Sequence, residues 1–297
     1  MMQMLKDDYI YTCGSGTDWQ IKIATPQGSI DNYFVESRRA AELVWAQKQG
    51  KVYIMYSGGV DSEYTLKLFH SMGMEVTPVI VRLTPNYNNH DTEYAFKFCS
   101  SIGLTPLVID INFDYFVKSG LILDIAKSAE LDIFQYPAIL HAISQLDGTV
   151  ICSTGEPAVR LNPDTNKWNV IFNQYDYTFF KYFEKNSIPG TPFFITYTPE
   201  MLFSFILDPR VTDLVNNKVP GKLGHQSSKF IIYNRHSQFN LTERPKYTGY
   251  ETIEKSKIFE HPNLQAIKEL KIQWGGEVQK EYHDFINSLK EKIICVP

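Results

Sequence analysis

The stretch Tyr53-Ile54-Met55-Tyr56-Ser57-Gly58-Gly59-Val60-Asp61-Ser62 decides the reading of this chain. An apolar run ends in Ser-Gly-Gly-Val-Asp-Ser, and a helical pattern follows from Glu63 to Met72. A buried strand therefore delivers a glycine loop to the start of a helix. Consecutive glycines let the backbone adopt positive φ and approach a ligand closely. Loop amides and the positive end of the helix dipole then suit a phosphate group. Ser57 and Ser62 add hydroxyl donors. Asp61 would repel a bare phosphate, so its presence points to a bridging Mg²⁺.

Two other phosphate-binding signatures fail. No Gly-Lys-Ser or Gly-Lys-Thr occurs, since Gly221-Lys222 is followed by Leu223. Gly14 and Gly16 are followed by Trp19 where a dinucleotide fingerprint needs a third glycine.

Working outward, apolar runs over 52–56, 76–83, 106–111 and 149–153 read as strands, and 62–72, 91–101, 115–129 and 137–145 read as helices. This alternation predicts a doubly wound, mainly parallel sheet of five or more strands in a three-layer α/β sandwich. Ligands in such sheets sit at the carboxyl ends of the strands, which singles out the loops after Tyr56, Val81 and Ser153. Residues 9–24 read as a hairpin. Beyond Leu161 the alternation weakens: 168–173 and 229–234 read as strands and 199–207 as a helix with Thr198 as N-cap. The tail holds two amphipathic segments, 264–274 and 277–292, read as helices separated by Gly275-Gly276. The expected organisation is a β extension over 1–36, a nucleotide-binding domain over 37–250 and a helical tail over 251–297. The hairpin and tail are appendages available for contacts in a homodimer.

The 297 residues carry 43% hydrophobic side chains and 21% charged ones, enough for a sizeable core and against disorder. Net charge is −4 and no Lys/Arg run stands out, so nucleic acid is not favoured as a partner and a small-molecule substrate is. Cys13, Cys99, Cys152 and Cys295 include no CxxC pair, which argues against a zinc site and for reduced thiols in a cytoplasmic protein. Lys6, Asp7 and Asp8 interrupt any leader-like run, and no stretch approaches a membrane span.

The 57–62 loop resembles the SGGxDS loop of the PP-loop ATP pyrophosphatases, the adenine nucleotide alpha-hydrolase-like (HUP-like) group that includes asparagine synthetase, GMP synthetase, PAPS reductase and the tRNA thiolases. The resemblance spans 52–160, extends to 250, and is nearest in style to the asparagine synthetase domain. It implies an ATP-dependent, C–N bond-forming ligase. ATP with Mg²⁺ would bind through Ser57, Gly58, Gly59, Val60, Asp61 and Ser62. A substrate carboxylate or amide oxygen would take AMP, pyrophosphate would leave, and ammonia or an amine would displace AMP. No N-terminal catalytic cysteine for glutamine hydrolysis is present, so ammonia would be free or supplied by an amine-donor or glutaminase partner.

The resemblance also places further residues. Backbone groups of Val81 and Leu83 would read the adenine edge. His90 or Asp91 would approach the nucleotide, although Asp91 also suits a helix N-cap. In the segment Cys152-Ser153-Thr154-Gly155-Glu156-Pro157, Gly155 would cradle phosphate and Glu156 would join Asp61 as a Mg²⁺ ligand. The family has an Asp-Glu pair there, whereas this chain has one acid followed by proline. Arg160 and Lys246 are the expected catalytic cations, Lys246 from the likeness of Arg244-Pro245-Lys246-Tyr247-Thr248-Gly249-Tyr250 to the family's late Arg-x-Lys-x-Gly-Phe segment, with one residue more before the glycine. Two alternatives stand beside this reading: sulfur chemistry of the PAPS reductase or thiolase kind, using Cys295 or Cys152, and a non-catalytic nucleotide-binding protein that keeps the loop.

Overall fold

Val52, Ile54 and Tyr56 point to one face of their strand, Tyr53 and Met55 to the other, and all five are buried. A strand buried on both faces needs a layer of structure on each side. The computed structural model, which describes residues 9–13, 19–23, 26, 28–216, 225–242, 249–270 and 277–290, supplies those layers.

The first half runs β1 (Tyr9–Cys13), β2 (Trp19–Ile23), α1 (Tyr33–Ala46), β3 (Val52–Met55), α2 (Val60–Ser71), β4 (Thr77–Thr84), α3 (Asn89–Ser101) and β5 (Leu107–Asn112). Helices α4 (Phe113–Lys118), α5 (Leu121–Ser128) and α6 (Tyr136–Ile143) then lead to β6 (Thr149–Ile151). The second half runs β7 (Ala158–Asn162), β8 (Lys167–Asn173), α7 (Gln174–Lys185), β9 (Gly190–Thr191), α8 (Pro199–Ile206), α9 (Pro209–Val215) and α10 (His225–Ser237). It closes with α11 (Tyr250–Glu254), α12 (Pro262–Lys268), β10 (Glu277–Glu281) and α13 (Tyr282–Lys290).

The central sheet has five strands in the order β5-β4-β3-β6-β9, every pair parallel. Ile54 sits opposite Pro78 on one side and Ile151 on the other. One apolar cluster joins Ile54, Ile80 and Ile151 to Leu66, Phe69, Leu202 and Tyr233. The second joins Tyr53, Val79 and Val150 to Phe113, Leu140 and Leu264. Neighbouring residues of one strand thus feed opposite layers, as the pleat requires. The expected α/β architecture with a parallel five-stranded sheet flanked by helices is present.

From β3 the chain steps outward to β4 and β5, then returns to lay β6 along the opposite edge of β3. The loops after β3 and β6 therefore leave in different directions and open a crevice between them, the position where such sheets bind ligands.

Two sequence expectations fail. Residues 229–234 are helical, inside α10, instead of a strand. Lys229, Ile232, Tyr233 and Ser237 are the buried positions, a spacing of three, four and eight that only a helix aligns on one face. The short Phe-Ile-Ile-Tyr run has no decisive period of its own. Residues 277–281, read as the start of a helix, form β10, antiparallel to β8 with Val278 opposite Phe172. Pairing with β8, itself in a hairpin with β7, overrides the helical preference of Glu, Gln and Lys. In the tail, Leu264, Ile267, Tyr282 and Ile286 are buried in the two clusters. The expected hairpin over 9–24 is seen as β1 paired with β2. Among the described residues no helix is long and apolar enough to cross a membrane.

Candidate functional site

Gly58 opens the loop at φ +81°, and a Cβ there would lie 2.6 Å from the Asp91 carbonyl oxygen. Only glycine fits, and the consequence is that the loop lies directly on the start of α3. Gly59 caps α2 in an extended conformation. The serines brace the turn. The Ser57 amide donates to Ser62 Oγ at 3.3 Å, the Ser62 hydroxyl donates to the Gly59 carbonyl at 2.9 Å, and the Gly59 amide donates to Ser57 Oγ at 3.2 Å. Ser57, Gly58, Gly59, Val60 and Asp61 line a cavity of about 440 Å³, while Ser62 is buried beneath the loop. That volume falls in the range of small-molecule sites.

On the other bank, Gly155 adopts φ +93° and its carbonyl accepts from the Thr196 hydroxyl at 3.0 Å. The turn aims Glu156 into the cavity; Gly155 does not line it. Asp61 and Glu156 thus converge across the crevice, as the sequence suggested. What lies between them is the ammonium of Lys229. Lys229 Nζ donates to Asp61 Oδ2 at 3.0 Å and to Glu156 Oε1. One turn along α10, the Tyr233 hydroxyl donates to Asp61 Oδ1 at 2.7 Å. Tyr233 is itself fixed by stacking on Tyr64, centroids 4.5 Å apart, and on Tyr33.

Burial, then repulsion by Glu156, raises the Asp61 carboxyl above its ordinary value, against the opposing pull of Lys229 and Tyr233. Burial works to discharge Lys229, but Asp61 and Glu156 outweigh it and the ammonium holds its proton more tightly than a free lysine. Burial, then the Asp61 charge, raises the Tyr233 phenol, so it stays a donor.

The pair expected to hold Mg²⁺ is bridged by a lysine. The two carboxylates do not fit a shared Mg²⁺ as they stand, because a lysine occupies the place between them and both Asp61 oxygens already accept hydrogen bonds. Among the described residues no three His, Cys, Asp or Glu side chains come together as a metal group.

Val81 and Leu83 line the cavity, but the Leu83 amide donates to Asn88 Oδ1 at 2.7 Å and Asn88 Nδ2 donates to the Val81 carbonyl at 2.8 Å. Asn88, not Asp91, is the N-cap position of α3; Asp91 lies in its first turn and lines the cavity. Arg82 turns to solvent and pairs with Asp110 through two hydrogen bonds of 2.5 and 2.7 Å. Arg160 is exposed on β7 and does not line the cavity. Lys246 lies outside the described residues, as does Cys295. Cys152 is buried, and burial pushes its thiol up, away from a reactive thiolate.

The residues that sequence reasoning missed are Lys229, Tyr233 and Asn88. The first two were hidden by reading their segment as a strand; a helical reading would have stacked residues four apart on one face. No family model matches the chain, and no curated protein matches it in sequence.

Proposed function

We propose that the crevice binds a nucleoside triphosphate, with its phosphates on the 57–62 loop, and acts as a PP-loop pyrophosphatase of the asparagine synthetase kind with ATP as the expected nucleotide. The observation that carries this reading is the convergence of the glycine loop, Asp61, Glu156 and the Lys229 ammonium at the switch point of the parallel sheet. In the proposed reaction a substrate carboxylate oxygen attacks the α phosphorus. The bond from that phosphorus to the bridging oxygen breaks, and pyrophosphate leaves with the electron pair. An amine nitrogen then attacks the acyl carbon, the carbon–oxygen bond breaks, AMP leaves, and the amine proton passes to solvent.

The chain's own contribution is positioning and charge. Gly58 and Gly59 let phosphate oxygens reach the loop amides, and the start of α2 adds its dipole. Among the described residues, Lys229 is the cation that lines the crevice with the loop, placed for charge that develops on departing pyrophosphate. Its tether to Asp61 and Glu156 fixes the ammonium before substrate arrives, so little reorganisation is needed in the transition state.

The test is incubation of the full chain with α-³²P-labelled ATP and pooled carboxylates and amines, with Asp61→Ala as control. Label in AMP or an acyl-adenylate, absent in the variant, supports the reading. Label in ADP alone, or binding with no turnover, overturns the adenylation mechanism in favour of a repurposed nucleotide-binding fold, non-catalytic in the latter case. That second reading has an observation on its side, since the carboxylate pair is bridged by a lysine of the chain itself. The sulfur-transfer reading loses Cys152 as a nucleophile because it is buried with a raised thiol pKa.

A further inference from the structure

Strand β3 gives out before β4 does. The last rung between them is the Tyr56 amide donating to the Val79 carbonyl at 2.8 Å. Beyond it, the edge of β4 that carries Val81 and Leu83 has no β3 partner, and unpaired backbone groups facing a cleft are open to a ligand. In this chain the Leu83 amide, the Leu83 carbonyl and the Val81 carbonyl are already taken. The segment after β4 folds back, with the Tyr87 amide donating to the Leu83 carbonyl at 2.9 Å, and sets Asn88 against the strand edge. The orientation of its carboxamide is unambiguous. A backbone amide can only donate and a carbonyl can only accept, so Oδ1 faces Leu83 and Nδ2 faces Val81. An exocyclic amine beside a ring nitrogen acceptor would present the same pair.

We propose that Asn88 is a specificity-determining residue that stands in for a purine edge: it occupies the Leu83 amide and the Val81 carbonyl of β4, so the chain does not select adenine through that pair. This rests on the nucleotide-site reading above. Tyr136, Ile139 and Tyr250 add an apolar wall to the cavity. Ring faces and methyl groups hold any base by stacking and offer no hydrogen-bond code. The inferred ligand class is therefore a nucleoside triphosphate recognised by its phosphates and stacked base.

Calorimetric titration of the full chain with ATP, GTP, purine riboside triphosphate (which lacks the 6-amino group) and inorganic tripolyphosphate tests this. The native chain is expected to bind the three nucleotides within about threefold of one another, since no neutral hydrogen bond distinguishes them. Asn88→Ala frees both backbone groups and is expected to favour ATP over purine riboside triphosphate by about tenfold. Native preference for ATP over purine riboside triphosphate of tenfold or more overturns the assignment, and this arm decides the matter even if the variant does not fold. An Asn88→Ala chain that folds and gains no preference overturns it as well. Failure of tripolyphosphate and every nucleotide to bind sinks the phosphate-site reading and this inference with it, whereas tight binding with strong native adenine preference sinks the Asn88 assignment alone.

Discussion

Lys229 on α10 donates to Asp61 at the head of α2 at 3.0 Å, although the two residues are 168 positions apart in sequence. This contact ties the last third of the chain to the glycine loop. It also places the buried ammonium, 4% exposed, between two acidic side chains.

Lys229→Met is expected to cost about 3–5 kcal/mol, the range for removing one partner of a buried charge cluster. Asp61 and Glu156 would lose the ammonium between them. Adding Glu156→Gln is expected to recover part of the loss. Urea denaturation of the single and double variants checks this; strictly additive losses would show that the three side chains do not act together.

Divalent-cation binding follows from the same geometry. The native chain without nucleotide is expected to bind no Mn²⁺ in an electron paramagnetic resonance titration, while Lys229→Met is expected to bind one ion through Asp61 and Glu156. Native Mn²⁺ binding that disappears in Asp61→Asn would show that the lysine yields its place to a metal.

Gly58→Ala is expected to lose about 1–3 kcal/mol and, with it, tripolyphosphate binding, because positive φ and the Asp91 carbonyl both exclude a Cβ. Gly59→Ala is the control. Its φ is −77°, and its Cβ would meet only the Ser57 hydroxyl at 3.2 Å, so a smaller loss is expected. Thermal unfolding of the pair, with and without tripolyphosphate, separates the two.

The alkaline limb of stability should be set by tyrosine. Burial, first of all, raises the phenols of Tyr33, Tyr64 and Tyr233 above their ordinary value of 10.0. The folded chain then binds those protons more tightly than the unfolded one. Their stabilisation is complete below pH 10.0 and is lost as pH rises through the higher folded values. Absorbance of tyrosinate is expected to show a late fraction that appears together with loss of helix by circular dichroism. A single early ionisation step preceding unfolding would contradict the burial of this cluster.

Much of the fold was legible because its signals are local. The strand of residues 52–56, the glycine loop and the helix after it follow from a buried run, two glycines and an apolar period within twenty residues. The alternation that follows fixed a parallel sheet, and the carboxyl-end rule then pointed to the loops that do form the crevice. Asp61 and Glu156 do face each other across that crevice, with Lys229 between them.

Sequence by itself determined where the glycine loop would lie, because glycine permits the positive φ that Gly58 adopts between the strand and the helix. Tertiary structure alone decided what fills the site. Whether 225–237 would be helix or strand depended on a buried face that exists only once α2 and β3 are packed, and that outcome carries Lys229 and Tyr233 to Asp61. Whether Val81 and Leu83 would stand open depended on where β3 stops and how the following turn folds back, which delivers Asn88 to their edge. Hydrogen bonds between side chains and strand edges this specific are set by three-dimensional proximity, and no period in the sequence encodes them.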